Sequence, residues 1–529
     1  MFVPLTPIRC LHRAVDLFPN KIGIVSGELQ FTYRDFGERC ERLGSALSKH
    51  GIEPGDRVAY LSFNTHQLLE GYYGVVLAGA IVMPLNVRLS PLELVNILNH
   101  SGARILLFEN DFAPLVRQIK PACPEIQRFI ALDENGSEAD LSYSELLDEG
   151  HAGRTDLFRV DENSIAELFY TSGSTGTPKG VTLSHRALYL HGLASASIYS
   201  QPETVVDLHT IPLFHANGWG RPQASTLLGT KQIMIRRFDP ATVFRLTQEN
   251  RVTDLCLVPT MANALLNSAD LAGYDLSSLR NIVLGGAASS PELIERMERA
   301  FHCDVFSGYG LTETAPLLTT ARSKPGLTYS SDAERHRRRS MAGWPVIGMQ
   351  VRVVDSEMND VPRDMRTIGE IVTCGDHVME GYFREPGATE SVMTGPWFHT
   401  GDMAVWDEEA FIQIVDRKKE IIISGGENIS SIELEKAIFA HPEVFECAVV
   451  AAPDEKWGEI PAAIVVRKPG STLTSDQLTD FLKARLGKFK LPQIIAFSEE
   501  PLPKTGTGKI RKLVLREQFW QGKEKRVQG

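Results

Sequence analysis

Tyr170-Thr171-Ser172-Gly173-Ser174-Thr175-Gly176-Thr177-Pro178-Lys179-Gly180 is the stretch that decides how this chain is read. Its glycines let backbone N–H groups converge, its hydroxyls add donors, and Lys179 supplies positive charge; a phosphate-binding turn needs all three. Glycine and serine alone would equally serve a flexible linker. The apolar stretch ahead of the segment and the Pro-Lys-Gly behind it weigh against a linker. The Walker spacing GxxxxGK[ST] is absent here and again at Gly506-Thr507-Gly508-Lys509-Ile510. The loop therefore cradles phosphate in some way other than a P-loop.

Outward from this loop, short apolar runs alternate with amphipathic stretches over the first four hundred residues, the α/β pattern. Asn281-Ile282-Val283-Leu284 reads as a strand, Gly285-Gly286-Ala287-Ala288 as a tight turn, and Ser289 or Ser290 as the cap of a helix opening at Pro291. Leu293, Ile294, Met297, Ala300 and Phe301 would form that helix's buried face. Val305-Phe306 predicts another strand, ending in a turn at Ser307-Gly308-Tyr309-Gly310. Glycine-rich turns at the ends of parallel strands are where such sheets bind ligands.

A second region opens near Asp416-Arg417-Lys418-Lys419, a charged run that suits an exposed joint. Beyond it the pattern predicts a helix (432–440), two strands (446–451 and 462–467), a helix (475–486) and a strand (493–497), a small α+β domain.

The 529 residues exceed what one core supports, so several subdomains are expected. With 43% hydrophobic and 23% charged residues the composition is that of an ordinary globular protein. A net charge of -11 argues against a nucleic-acid partner, which requires a basic surface. The seven cysteines stand singly with no CxxC, so neither a zinc site nor a disulfide framework is indicated, and a reducing, cytoplasmic location is expected. The start, MFVPLTPIRC, lacks a signal-peptide pattern. Tyr72 to Leu85, broken by Gly74, Gly79 and Pro84, reads as buried core and not as a span of about 20 apolar residues. His209 and His215, six apart, do not share a helical face as a metal pair would, and the basic run Arg335 to Arg339 reads as a solvated loop.

Seven further segments follow the phosphate loop: Phe214-His215-Ala216-Asn217-Gly218-Trp219-Gly220, Gly285-Gly286-Ala287, Gly308-Tyr309-Gly310-Leu311-Thr312-Glu313-Thr314, Trp397-Phe398-His399-Thr400-Gly401-Asp402, Asp416-Arg417-Lys418-Lys419-Glu420, Gly425-Gly426-Glu427-Asn428-Ile429 and Pro503-Lys504-Thr505-Gly506-Thr507-Gly508-Lys509-Ile510. In content and order they resemble the adenylate-forming superfamily, and within it the fatty acid–CoA ligase-like acyl-CoA synthetases. The resemblance implies a large N-terminal domain, 1–415, of layered α/β subdomains plus a small β-barrel-like part, and a small mobile α+β domain, 416–529, that rotates between two half-reactions. It implies ATP, Mg²⁺ and coenzyme A as cofactors, a carboxylic acid as substrate, no integral membrane association, and a homodimer as possible.

Site roles follow from the same resemblance. Thr171, Ser172, Gly173, Ser174, Thr175, Gly176 and Lys179 would hold phosphates, with Gly286, Ala287 and Gly308 lining the nucleotide. Tyr309 would stack on adenine, Thr312 would donate to the α-phosphate, and Glu313 with Thr175 would hold Mg²⁺, a cation that favours carboxylate and phosphate oxygens. Asp402 would accept from the ribose hydroxyls, with Arg417 beside it. Lys509 would stabilise the charge that develops as carboxylate meets phosphate, and Glu313, Thr312 and His215 complete the catalytic set. His215, Trp219, Gly285 and Gly310 would form the acyl pocket. Asp416 would be the hinge, and Gly425, Gly426, Glu427 and Lys488 would contact coenzyme A.

Trp219 between glycines, the 285–288 turn and Leu311 point to an apolar pocket suited to a medium-chain fatty or similar hydrophobic acid; methylthio-alkanoates and aryl acids stay open. So do two other readings, a stand-alone enzyme loading a carrier-protein thiol and a nucleotide-binding relative without catalysis. The joint presence of Lys179, Thr312, Glu313, Asp402, Arg417 and Lys509 disfavours the latter. Two departures from the family pattern are Asp416, where many relatives have glycine, and Ser431, where proline is frequent.

Overall fold

Asn281–Leu284 and Asp254–Leu257 are buried at every position, as strands of a parallel sheet covered on both faces must be. The computed structural model describes residues 2–134, 136–171, 178–199, 204–424, 427–454, 456–483, 485–504 and 510–521. Ser172, Gly173, Ser174, Thr175, Gly176, Gly425, Gly426 and Lys509 lie outside the described residues.

The first large sheet runs parallel in the order Asp304–Gly310, Asn281–Leu284, Asp254–Leu257, Val206–His209, Lys231–Met234, Ile22–Ser26. Leu29–Thr32 adds antiparallel at one edge, Leu317–Thr320 and Trp344–Pro345 at the other. A second sheet runs Leu141–Ser142, Arg128–Ala131, Ala103–Phe108, Arg57–Leu61, Ile81–Pro84, Ile165–Thr171 in parallel, then Lys179–Ser184 and Gly381–Tyr382 antiparallel. The two strands that flank residues 172–178, Ile165–Thr171 and Lys179–Ser184, thus pair as neighbours within a core sheet. This is the mixed α/β architecture the sequence implied.

The helix Pro291–Phe301 forms as its sequence directs: Ser290 accepts from Leu293 N, and Leu293, Ile294, Met297 and Phe301 are buried. Tyr72 to Leu85 is also core, split between the helix His66–Leu77 and the strand Ile81–Pro84. Among the described residues no helix is long and apolar enough to cross a membrane.

Three local expectations are corrected. The predicted turn at 307–310 is strand, because Leu317–Thr320 pairs with it; Gly310 is needed for a close approach, since a Cβ there would lie 1.7 Å from Pro316 O. The run Arg335 to Arg339 is no solvated loop but the end of the helix Asp332–Arg339. Glu298 draws it in, pairing Arg335 at 2.9 Å and His336 at 3.1 Å. Asp416, expected at an exposed joint, is 1% exposed. It is the penultimate residue of the strand Ile412–Arg417 and accepts from Ser431 N. A proline at 431 could not donate that bond, so the two departures from the family pattern are one feature.

His66 opens a buried helix, its Nδ1 has no hydrogen-bond partner among the described residues, and burial followed by repulsion from Arg39 pushes the imidazole down to about 3. Unfolded histidine titrates near 6.5, so below that pH the unfolded chain binds the extra proton and stability falls. His66 should contribute a loss of about 1.4 kcal/mol per pH unit between pH 6 and 4. Urea unfolding at stepped pH should show a slope shallower by that amount in His66→Gln; an unchanged slope contradicts it.

Packing divides the chain into one unit of Met1–Val351, Val372–His399 and Glu408–Ile412 and a second of Arg352–Ile371, Thr400–Asp407 and Gln413–Gly529. In the second, the sheet order is Glu427–Ile429, Ile422–Ser424, Gly458–Arg467, Val444–Asp454, with Ile494–Ser498 parallel to Gly458–Arg467. Helices Ser431–Phe439 and Ser475–Lys483 cover one apolar face through Leu434, Ile438, Leu478 and Leu482, and Leu515 of Lys512–Trp520 belongs to a second apolar cluster.

Candidate active site

In the first unit the pairing of Ile165–Thr171 with Lys179–Ser184 brings Thr171 opposite Lys179. Lys179 Nζ lies 4.7 Å from the centre of the Tyr382 ring, an attraction between cation and ring face. Tyr382 Oη donates to Glu313 Oε1 at 3.0 Å. Burial, then the charge of Glu313, raises the Tyr382 hydroxyl well above its ordinary range, so it stays a donor. Glu313 sits on the turn Thr312–Thr314, with Thr312 nearly buried. That turn is pinned from outside: Met379 N donates to Glu313 O at 2.8 Å and His377 Nδ1 to Thr314 O at 3.0 Å.

Sequence reading missed Tyr382 and His377, and no local signal could have supplied them. Tyr382 lies 69 residues from Glu313, and the two meet because Gly381–Tyr382 pairs with Lys179–Ser184. Among the described residues no three His, Cys, Asp or Glu side chains gather into a site that would hold a metal unaided. A single oriented carboxylate does fit Mg²⁺, which takes its remaining oxygens from phosphates and water.

At the ends of neighbouring parallel strands, Gly285 and Gly286 meet Trp219. A Cβ on Gly285 would lie 2.9 Å from Trp219 Cη2 and 3.1 Å from Gly308 O, and one on Gly286 would lie 3.5 Å from Trp219 Cζ2. Glycine lets the indole lie against the turn. Trp219 is half-buried and packs on the apolar cluster of Ile211, Cys256, Val283, Phe306 and Ala321. His215 is open to solvent, yet crowding by protein and then repulsion from Arg88 hold its imidazole below the usual range. The downward shift keeps this imidazole neutral at pH 7. Ala287 is exposed, and Tyr309, half-buried in its strand, pairs with Thr319. His209 belongs to the core, bonded to Gln232 at 3.1 Å.

In the second unit Asp402, 4% exposed, holds Arg417 Nε at 2.8 Å. Lys418 pairs with Glu370 at 3.0 Å, and Lys418 N donates to Gly401 O at 2.8 Å. Asp402 and Arg417 therefore come together as one charged pair. Lys512 reinforces the Asp416 end, bonding Ser431 Oγ at 2.6 Å and Glu435 at 2.8 Å. Lys488 is exposed on the short helix Lys488–Lys490, while Lys490 is paired with Glu433 at 2.7 Å. The backbone of Glu427 lies in the strand Glu427–Ile429.

The family model described as AMP-binding enzyme matches residues 11–383, and the one described as AMP-binding enzyme C-terminal domain matches 433–509. The chain is similar to a long-chain-fatty-acid–CoA ligase of Thermus thermophilus, 41% identical over 519 residues covering 96% of this chain and 94% of the relative. It is similar to a 3-methylmercaptopropionyl-CoA ligase of Ruegeria pomeroyi, 35% identical over 504 residues covering 93% and 92%. Among solved structures, ATP-bound MatB from Rhodopseudomonas palustris matches it with a TM-score of 0.84 at 27% identity, covering 97% and 99%.

Proposed function

Because this chain belongs to the AMP-binding enzyme family, we propose that it is an AMP-forming acid–CoA ligase whose preferred substrate is a medium-chain fatty or comparably hydrophobic acid. The supporting observation is the convergence of Lys179, Tyr382 and Glu313 at the base of the phosphate loop. In the first half-reaction the substrate carboxylate oxygen bonds to the α-phosphorus of ATP and pyrophosphate leaves. In the second, the thiol sulfur of coenzyme A bonds to the acyl carbon, its proton is lost to solvent, and AMP leaves.

Each residue has a stated part. Lys179 and the hydroxyl-rich loop neutralise phosphate oxygens, Thr312 donates to the α-phosphate, and Tyr309 stacks on adenine. Tyr382 orients Glu313, which would hold Mg²⁺ together with Thr175; the ion would neutralise charge on the phosphates. Asp402 receives the ribose hydroxyls, its charge balanced by Arg417. Lys509 stabilises the charge shared between carboxylate and α-phosphate. The functional division we propose assigns residues 1–415 to binding of nucleotide and acid, and 416–529 to Lys509 and, through Gly425, Gly426, Glu427 and Lys488, to coenzyme A, with Asp416 at the hinge.

The relatives named above differ in the acid their names carry, so the pocket of this chain sets its own preference. Trp219 lies across the glycine turn in front of apolar side chains, which favours an uncharged acyl chain of limited length. Shortening it with Trp219→Leu should raise kcat/KM for longer acids relative to shorter ones by roughly tenfold, since a methylene-sized change in an apolar pocket is worth about 1–3 kcal/mol. A panel of acids in ATP–pyrophosphate exchange measures this, and an unshifted preference removes Trp219 from the pocket. Adding coenzyme A or a carrier protein and following AMP release tests the acceptor; release with the carrier alone overturns the ligase reading.

A further inference from the structure

The turn carrying His215 and Trp219 runs through consecutive left-handed residues, with φ of +44° at Ala216, +44° at Asn217, +56° at Gly218, +60° at Trp219 and +72° at Gly220. L-residues avoid a run of this hand, so contacts outside the turn must hold it. Its flanks are held by the helix His66–Leu77: Tyr72 Oη donates to Leu213 O at 2.6 Å and Tyr73 Oη to Pro222 O at 3.0 Å. Its centre is held by Asn217, whose side chain is fully buried. Asn217 Nδ2 donates to Glu167 Oε2 at 3.4 Å and to Ala315 O at 3.3 Å. Glu167 lies on the strand Ile165–Thr171 that enters the phosphate loop, and Ala315 directly follows Thr312–Thr314. One amide thus ties the turn beside the glycine pocket to two segments assigned to the nucleotide.

Glu167 is equally buried, and its second oxygen accepts from Gln223 Nε2 at 2.6 Å. Burial lifts its carboxyl to about 8, against a smaller lowering by the two amides, so it is protonated at neutral pH. Among the described residues the amide oxygens of Asn217 and Gln223 meet no donor; with the Gln223 amide turned end for end, its oxygen would take the 2.6 Å position and accept the carboxylic O–H. The group works as a neutral donor and acceptor, a role glutamine can fill.

We propose that Glu167 and Asn217 act together as positioning residues, clamping the left-handed turn so that Trp219 and His215 keep their places against the acid. The functional consequence rests on the acid-activation reading above; the clamp itself does not. Loss of the clamp should fall on the acid and not on ATP, because the phosphate-loop strands and the 312–314 turn are held by their own sheet and backbone bonds.

Asn217→Gly is the decisive variant, since glycine accepts positive φ without strain and only the side-chain bonds are lost. Amide hydrogen exchange across 213–222 should quicken roughly tenfold, the equivalent of losing a buried hydrogen bond; unchanged exchange overturns the clamp whatever the substrate. In ATP–pyrophosphate exchange the KM for acid should rise roughly tenfold while ATP affinity by calorimetry stays within about twofold. A parallel weakening of ATP overturns the assignment to the acid side. Glu167→Gln should behave as wild type, Glu167→Ala as Asn217→Gly, and the double variant no worse than either single one. Additive losses, or a Gln variant as impaired as Ala, refute joint action. If no acid supports exchange in the wild type the functional reading fails, and hydrogen exchange still decides the clamp.

Discussion

Lys509→Ala should slow acyl-AMP formation by about 100- to 1,000-fold, the usual effect of removing one preorganised donor aimed at developing charge. Two anions approach one another in this step, and negative charge builds on the α-phosphate oxygens as the carboxylate bonds and then passes to the departing pyrophosphate. Water cannot follow that redistribution without reorganising, whereas a fixed ammonium meets it at no such cost. In the proposed site Lys509 would supply that ammonium, and Gly506 and Gly508 ahead of it carry no side chain that would hinder an approach to phosphate. The loss should appear in kcat of ATP–pyrophosphate exchange, with ATP binding by calorimetry and the thermal unfolding profile retained. Thioesterification started from supplied acyl-AMP should be far less affected. Exchange near the wild-type rate in Lys509→Ala removes the residue from the first half-reaction.

A comparably large effect, on stability, is expected from Arg221→Met. Arg221 opens the helix that follows the left-handed turn, and its guanidinium holds Asp207 at 2.5 and 2.9 Å, with both side chains nearly buried. Ser225 Oγ donates to the same carboxylate at 2.7 Å, and the Tyr199 ring centre lies 4.5 Å from the guanidinium carbon. Burial alone would push the Asp207 carboxyl up, but Arg221, His209 and Ser225 hold it below the ordinary range. Removing Arg221 strands a buried carboxylate, which costs about 3–5 kcal/mol. The sign of the pH dependence then inverts. In the wild type the depressed Asp207 stabilises the fold above its unfolded value and loses this as the pH falls. In Arg221→Met the carboxyl is raised by burial, so its penalty grows as the pH rises. Urea unfolding should therefore show a wider gap from wild type at pH 8 than at pH 5. A gap independent of pH contradicts the account.

Much of this molecule could be read locally. The strand 281–284, the cap at Ser290 and the apolar face of the helix 291–301 follow from residues within a few positions of one another, and the structure repeats them. The turn expected at 307–310 failed because glycines there serve a close backbone approach and not a reversal. The burial of Asp416 was equally hidden, since its partner Ser431 N is 15 residues away.

Sequence by itself determined the α/β class and the order of the glycine- and charge-bearing motifs on which the proposed chemistry rests, because each is written in contiguous patterns of charge, glycine and periodic apolar residues. Only the tertiary structure decided which groups meet: Tyr382 with Glu313 and Lys179, Trp219 with Gly285, Asn217 with Glu167. Those encounters depend on the order in which strands enter a sheet, and strand order is fixed by the packing of the whole core, which no local window of residues contains.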